Sequence, residues 1–367
     1  MSRPGEPRTL ASPEASTPPP SSAAARPAPS VSARRAHLII AGLAVFMVLA
    51  AGVSLMLGRY PIEPAQALAM LANQIPGVTL EPTWTSQQAT LFFNVRLPRI
   101  MLALMVGCCL ATAGAAFQGT FQNPLVSPDI LGASQGAAFG AAIAILAGQA
   151  AFGVSVSAFG FSILTVMLVL LVSSRAKGNR ILVTVLAGTM ISSLFSAGVS
   201  FTKLVADPTD DLPAITYWLM GSLTGAKMSD IAVAAIPMTV GMAVLFALRW
   251  RINILTMGDD EASTMGIDAR RLRLAIILAA TMATASSVAI SGMIGWVGLV
   301  VPHLCRMMVG SDYRRLIPAS MLFGASFLLV VDNIARLTAT SEIPIGILTA
   351  FVGAPFFLYL ITRKKKV

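Results

Sequence analysis

Apolar runs of about twenty residues recur along this chain from residue 37 to near its C-terminus. An α-helix needs roughly 20 apolar residues to cross ~30 Å of hydrocarbon, so each run predicts a membrane span. The mean hydropathy of +0.77 and the charged fraction of 11% also indicate a membrane protein, because soluble domains carry about 25% charged residues. We expect an all-α polytopic membrane protein with about ten spans, at residues 38–57, 98–117, 132–148, 151–173, 181–203, 230–248, 272–291, 295–309, 317–337 and 344–362.

The N-terminal segment differs in composition from the rest of the chain. Residues 1–36 are rich in Pro, Ser and Ala and cannot bury a core, so they are expected to form a disordered cytoplasmic tail. The apolar run that follows has some features of a signal peptide, but it is as long as a full span and lacks a clear small-residue cleavage site. We interpret it as the first span of one transmembrane domain over residues 37–367.

The charge distribution predicts the topology of the chain. Lys and Arg number 26 against 16 Asp and Glu, a net charge of +10. The basic residues lie in loops and at span ends, which indicates orientation in a membrane rather than a nucleic-acid partner. Ten spans put both termini on one side of the inner (plasma) membrane, and an excess of basic residues predicts that this side is cytoplasmic. The basic residues on this side are Arg34, Arg35, Arg175, Lys177, Arg180, Arg249, Arg251, Arg270, Arg271, Arg273, Arg314, Arg315 and residues 363–366. The opposite loops carry Arg59, Arg96, Arg99, Lys203, Lys227 and Arg336.

Few ionisable residues lie inside the predicted spans, and His303 and Asp332, near span ends, are the nearest candidates. Ion-coupled carriers usually hold buried Asp, Glu or His, so the pattern disfavours a secondary transporter. It also disfavours an intramembrane enzyme, since no Ser/Lys pair, Asp pair or zinc-binding His spacing is visible. Cys108, Cys109 and Cys305 lack metal-ligand spacing and are interpreted as core thiols. We assign no catalytic or metal-binding residue.

One polar segment, residues 258–273, separates two apolar stretches. Its acidic first turn, Asp259, Asp260 and Glu261, suits the positive end of a helix dipole, and Gly266 provides a stop before a basic run. The segment therefore predicts a short helix at the membrane surface. Such a helix suits a transporter driven by a separate motor protein, and a solvated amphipathic loop is the alternative when the segment is considered alone.

Several long motifs occur in order along the chain. They comprise Arg96-Leu-Pro-Arg99, residues 114–132 (GAAFQGTFQNPLVSPDILG), residues 217–221 (YWLMG), the polar segment, residues 295–306 (GWVGLVVPHLCR), residues 310–315 (GSDYRR), residues 332–336 (DNIAR) and residues 342–355 (EIPIGILTAFVGAP). Together they resemble the permease subunits of type II ABC importers for iron-siderophores, haem and cobalamin. The resemblance covers the chain from the first span to the C-terminus.

The resemblance implies an assembly of several proteins. In that family, ten helices per chain form a homodimer with a central pathway, which we expect the fifth and tenth spans to line. Two ATPase subunits dock from the cytoplasm, and a periplasmic or lipid-anchored substrate-binding protein delivers the cargo. No Gly-x-x-x-x-Gly-Lys-Ser/Thr loop occurs here, so no cofactor is expected in this chain, and ATP and Mg²⁺ belong to the ATPase.

The resemblance also limits the substrate. A ferric siderophore or similar metal chelate is the expected cargo, while haem, cobalamin and an oxyanion such as molybdate stay open. An ion-coupled secondary transporter or a channel is the alternative class.

By the same resemblance, the region near residues 258–268 is a coupling helix that sits in a cleft of the ATPase and passes its closure to the spans. The expected contact residues are Asp259, Asp260, Glu261, Ala262, Ser263, Met265 and Gly266.

Two residues in the turn after the second span, Asn123 and Leu125, match the family's cytoplasmic gate, and a well-formed turn is the alternative. Pro124 disfavours helical geometry at the residue before it, and Ser127-Pro128-Asp129 is expected to begin the next helix with a cap.

Three arginines, Arg96, Arg99 and Arg336, fall at the outer ends of the second and ninth predicted spans. The family's permeases present arginines there to glutamates of the substrate-binding protein, and such pairing orients the partner and speeds its capture. Interfacial snorkelling or helix capping is the alternative. For Arg336, an i, i+4 pair with Asp332 is a further possibility.

Overall fold

The computed structural model describes residues 32–58, 60–338 and 341–362, which are helical with no strand among them. Most of the predicted tail, together with Arg59 and the basic run 363–366, lies outside the described residues. The helices are α1 (Ala33–Met56), α2 (Pro64–Ala72), α3 (Ser86–Leu91), α4 (Leu97–Thr120), α5 (Ala133–Leu146), α6 (Ala151–Arg175), α7 (Arg180–Val205), α8 (Asp211–Met220), α9 (Met228–Leu255), α10 (Asp259–Thr264), α11 (Ala269–Ser291), α12 (Val297–Val309), α13 (Tyr313–Leu337) and α14 (Ile345–Thr362).

Each of the ten predicted spans corresponds to one of these helices, which confirms the all-α fold class. Seven are long and apolar enough to cross a membrane, and α5, α12 and α14 are shorter apolar helices. The start of the first span needs correction, because α1 begins at Ala33 inside the predicted tail. The hydroxyl of Ser32 caps it by accepting from the backbone N–H of Arg35 at 3.4 Å.

The remaining helices are too short to be predicted as spans. Both α2 and α3 begin with a capping box, formed by Glu63 with Gln66 and by Thr85 with Gln88. A π-helical turn, Phe92–Arg96, joins α3 to α4 without a break. Ile62, Ala67, Met70 and Phe92 of these segments form a small buried cluster against Leu55 near the end of α1.

The long helix α4 is the centre of the bundle and packs against α9, α11, α12 and α13. Its glycines allow this close packing. A Cβ atom on Gly114 would lie 1.8 Å from the carbonyl oxygen of Gly298, and one on Gly107 would lie 2.2 Å from that of Gly324. Small residues at such crossings let helix backbones touch, which is how membrane helices commonly associate.

Contacts between span termini define the two ends of the bundle. At one end, which we call the α10 end, Gln122 after α4 donates to the carbonyl of Leu255 at the end of α9, at 2.7 Å. At the opposite end, Arg96 before α4 donates to the carbonyl of Leu55 near the end of α1, at 2.8 Å. The polar segment and the predicted gate turn therefore share one end, and the three predicted docking arginines lie at the other.

Candidate functional site

The short helix α10 lies between two glycines, Gly258 with φ of 130° and Gly266 with φ of 75°. Residues with a Cβ rarely adopt this backbone, so the glycines mark both ends of the helix. The prediction of a short helix in this segment is confirmed. Of the seven residues expected to contact an ATPase, six are exposed, but Ala262 is fully buried and instead packs α10 onto the bundle.

A salt bridge ties α10 to α11. Arg273, buried in the first turns of α11, donates from Nη2 to Oδ1 of Asp259 at 2.6 Å and from Nη1 to Oδ2 at 3.1 Å. This hydrogen bonding from Arg273 lowers the pKa of the Asp259 carboxyl below its ordinary value, with attraction to the guanidinium adding to the effect. Asp259 therefore has an internal partner, whereas Asp260 and Glu261 present exposed carboxylates.

The predicted gate residues lie in a turn at the same end of the bundle. The Asn123 side chain accepts from the backbone N–H of Leu125 at 2.9 Å, and the backbone N–H of Asn123 donates to the carbonyl of Gln118 at 3.1 Å. The preceding Gln122 has a positive φ of 51° and is held by its bond to α9. This local bonding fixes the turn and leaves the Leu125 side chain 56% exposed.

The predicted cap at Ser127 is wrong. Pro128–Leu131 forms a 3₁₀ turn in which the Ser127 side chain makes no capping bond. Gly132 then takes a left-handed φ of 78°, and α5 begins only at Ala133. The Asp129 carboxylate instead accepts from the hydroxyl of Ser134 in the first turn of α5. Pro128 starts a short 3₁₀ turn before α5. The local sequence pattern is the same for such a turn and for the start of an α-helix.

Arg96 is not presented at a surface, contrary to the premise of the docking prediction. Its side chain is 6% exposed. The guanidinium donates to the backbone carbonyls of Leu55 and Met56 at 2.8 and 3.2 Å and to that of Tyr60. The carbonyls of Leu55 and Met56 belong to the last turn of α1 and that of Tyr60 to the segment after it, so Arg96 caps this helix end.

Arg99 is also buried, at 8% exposure, and holds two carboxylates. Its Nε and Nη2 each lie 2.9 Å from Oδ1 of Asp332, and its Nη1 lies 2.8 Å from Oε2 of Glu342. Thr224, in the loop before α9, donates to the same Glu342 oxygen at 2.6 Å. Arg99 therefore points into the protein, where its buried positive charge is balanced by the two carboxylates.

Arg336 is partly exposed, and its described partners are Asn333 and Ser54. It donates from Nε to Asn333 at 3.1 Å and from Nη2 to the backbone carbonyl of Ser54 at 2.9 Å. The possible i, i+4 pair with Asp332 is not formed, because that carboxylate is bonded to Arg99. Arg336 therefore links α13 to α1 at the opposite end of the bundle.

A stripe of hydroxyl residues on α7 was missed in the sequence. Thr189, Ser193, Ser196 and Ser200 are spaced by four, three and four residues, which places them on one helix face, and all four are exposed. Thr189 and Ser193 donate to carbonyls of their own helix at 2.9 Å. The spacing of these hydroxyl residues could have revealed the stripe in the sequence, but the high apolar content of the span made it inconspicuous.

The chain matches the sequence profile of the FecCD transport family over residues 37–363. It is 40% identical over 328 residues to the molybdate import system permease protein MolB of Haemophilus influenzae, which covers 89% of this chain and 96% of MolB. It is 41% identical over 273 residues to the cobalamin import system permease protein BtuC of Halobacterium salinarum, which covers 74% of this chain and 73% of that protein.

A solved structure shares this fold. A metal-chelate type ABC transporter, in an inward-facing conformation, aligns with a TM-score of 0.79 at 39% identity, covering 89% of this chain and 99% of the other. The helix order, the profile match and these relatives agree over nearly the whole transmembrane region. The chain therefore belongs to the FecCD transport family, whose members are membrane permease subunits of ABC transporters.

Proposed function

We propose that this permease moves a metal chelate inward across the inner membrane, with a ferric siderophore as the first candidate cargo. Two copies of the chain form the transmembrane unit, with both termini in the cytoplasm. Two separate ATPase subunits bind at the α10 end, and a substrate-binding protein delivers cargo to the opposite end. The chain itself carries out no covalent chemistry.

The observation that carries the ATP-driven part of this proposal is the construction of α10. The helix presents Asp260 and Glu261 outward, while the Asp259–Arg273 salt bridge and the buried Ala262 hold it to the bundle. A helix that transmits force must contact a partner on one side and be held rigidly on the other. Exposed carboxylates together with internal anchoring meet both requirements, which supports a coupling role for α10.

The hydroxyl stripe of α7 supports a translocation pathway along that helix. Lipid favours apolar side chains, so four hydroxyl residues on one exposed face suit a water-filled or protein-lined surface better than hydrocarbon. Hydroxyls can hydrogen-bond a hydrophilic cargo without trapping it by charge. In the proposed homodimer, this face of α7 lies along the central pathway together with α14.

The turn that holds Asn123 and Leu125 forms the gate at the α10 end in this proposal. The Asn123 bond to the Leu125 amide keeps the turn rigid, and the exposed Leu125 side chain supplies an apolar plug. Gln122 connects the turn to the end of α9, from which the chain continues into α10. A displacement of α10 is therefore transmitted to the gate turn through the end of α9 and the hydrogen bond of Gln122.

The proposed docking of a substrate-binding protein requires a revised role for the arginines. Because Arg96 and Arg99 are buried, they shape the docking surface from beneath by fixing the loops after α1 and before α14. Arg336, which is partly exposed, remains a candidate for direct pairing with an acidic residue of the partner.

A molybdate-type oxyanion is the second candidate cargo, because the similarity to MolB extends over 96% of that protein. Uptake of radiolabelled ferric siderophore, haem, cobalamin and molybdate into cells that express the full transporter separates the candidates. Saturable uptake of a ferric siderophore, unaffected by excess molybdate, is expected. Saturable uptake of molybdate alone contradicts the chelate proposal and supports the oxyanion.

A further inference from the structure

A basic cavity of about 610 Å³ opens at the α10 end of the bundle. It lies where the start of α1, the last turns of α9 and the first turn of α13 meet. Its polar and aromatic walls are formed by His37, Arg249, Trp250, Asp312, Arg314 and Arg315. The volume falls within the roughly 300–1,000 Å³ of small-molecule sites. None of these residues belongs to α10, the gate turn or the α7 stripe.

The walls of the cavity carry three arginines and one carboxylate. That carboxylate, Asp312, is used in local structure. Its Oδ1 accepts from the backbone N–H of Arg314 at 3.0 Å, which caps α13, and from the side chain of Asn253 at 2.8 Å. Three arginines against one carboxylate leave the cavity with a net positive charge, and an anion is the complementary ligand.

An aromatic side chain lies next to the positive charge. The Trp250 side chain is 44% exposed, and its ring centroid lies 5.7 Å from Cζ of Arg314. Tryptophan is enriched where membrane hydrocarbon meets the headgroup layer, because its ring is apolar and its N–H is polar. An apolar ring beside a cluster of positive charge therefore suits the headgroup layer of a membrane.

The spans below the cavity provide an apolar surface. Both α1 and α9 pack against α13, and each exposes large apolar side chains toward its middle. Val45 and Leu49 of α1 are 58% and 61% exposed, and Val240 of α9 is 47% exposed. A ligand with an anionic head and long hydrocarbon chains therefore matches the cavity and its surroundings together.

We propose that this cavity binds the headgroup of an anionic glycerophospholipid. Arg314 holds the phosphate, since a guanidinium offers paired N–H donors that match phosphate oxygens. Arg249, whose Nη1 donates to the carbonyl of Phe246 at 2.6 Å, adds its positive charge and its remaining donors. Trp250 lies at the boundary between head and acyl chains, and the chains run along α1 and α9. Basic pockets between transmembrane helices bind anionic headgroups by this chemistry. The inference rests on the membrane location of the chain and not on the identity of its cargo.

Two double variants with equal loss of charge test the proposal. Arg249→Gln with Arg314→Gln removes the phosphate contacts, and Arg175→Gln with Arg270→Gln removes two arginines elsewhere at the same end of the bundle. The full-length chain in detergent is titrated with phosphatidylglycerol or phosphatidylcholine while thermal unfolding is followed. We expect phosphatidylglycerol to stabilise the wild type and the control double, and the concentration required to rise about tenfold or more in the test double. Phosphatidylcholine should leave the unfolding temperature of each of the three proteins unchanged.

Several results overturn the proposal. An equal loss of phosphatidylglycerol response in both doubles indicates diffuse attraction to the basic end rather than a site. Stabilisation by inorganic phosphate alone, to the same extent as by the lipid, indicates a free-anion site. An unchanged lipid response with weakened ATPase binding indicates a protein interface. If the test double does not fold, the single variant Arg314→Gln takes its place, because that side chain is exposed, and an unchanged lipid response in it also overturns the site.

Discussion

Arg99 of α4 and Asp332 of α13 form a buried salt bridge, with Nε and Nη2 of the arginine each 2.9 Å from Oδ1 of the carboxylate. These residues are separated by 233 positions in the chain. Glu342, in the segment before α14, binds the remaining Nη1. One arginine thus joins the central helix, its principal neighbour and the start of the last span.

Replacing Arg99 with Gln should lower stability strongly, because it leaves two carboxylates without their common cation. Removing one partner of a buried ion pair costs about 3–5 kcal/mol. The matched control is Arg271→Gln, which breaks an exposed pair with Asp268 at 3.1 Å and should cost at most about 1 kcal/mol. Thermal unfolding in detergent measures both, and similar losses in the two variants would show that the buried cluster contributes nothing special.

Replacing Gly114 with Ala should disrupt the packing of α4 on α12. The added methyl group would overlap the carbonyl of Gly298, and the backbones cannot separate without opening the bundle. Gly160→Ala on α6 is the control, since a Cβ there meets no atom within 4 Å. It should be neutral or raise helix stability by up to about 1 kcal/mol. The yield of monodisperse protein and its unfolding temperature should fall only for Gly114→Ala, and equal behaviour argues against a close helix crossing.

Substitutions of the acidic residues of α10 should have two different effects, one on ATPase coupling alone and one on the stability of the helix as well. Asp260→Asn and Glu261→Gln together should leave the fold intact but lower substrate uptake per ATP hydrolysed, because they change only the exposed face. Asp259→Asn should also increase amide hydrogen exchange across residues 257–267, because it weakens the bond to Arg273. Hydrogen exchange combined with uptake measurements separates the classes. Unchanged coupling in the Asp260/Glu261 variant would remove α10 as the ATPase contact.

The proposed gate residue Leu125 should lie close to its counterpart in the proposed homodimer. A Leu125→Cys variant is expected to form a disulfide-linked dimer on mild oxidation, because its side chain is exposed at the proposed axis. Val45→Cys on α1, equally exposed, should stay monomeric on a denaturing gel. The native Cys108, Cys109 and Cys305 are buried or half-buried and provide the background. Crosslinking at position 45 and not at 125 places the dimer axis elsewhere.

Local signals in the sequence were sufficient for the ten spans and for α10. A run of about twenty apolar residues defines a span almost by itself, and two glycines around an acidic turn define a short helix. The environment of Arg96 and Arg99 was not predictable in this way. Their partners lie between 36 and 243 positions away, so nothing in the neighbouring sequence distinguishes a buried arginine from one at the rim.

At Ser127 the opposite happened, because a clear local signal led to a wrong prediction. The local pattern of Ser, Pro and Asp favours a helix start, but the chain makes a 3₁₀ turn and a left-handed glycine first. The bond between Ser134 and Asp129 belongs to that arrangement. Competing turn geometries with the same residues differ little in free energy, and the packing of α5 selects between them.

The most direct test of a permease driven by separate ATPase subunits is reconstituted transport. Proteoliposomes are prepared with this chain alone, with its ATPase, or with its ATPase and a loaded substrate-binding protein. Accumulation of substrate is measured with ATP, with a non-hydrolysable analogue, and with an imposed proton or sodium gradient. We predict accumulation only in the complete system with hydrolysable ATP. Accumulation by the chain alone under an ion gradient would show ion-coupled transport and contradict an ATP-driven permease.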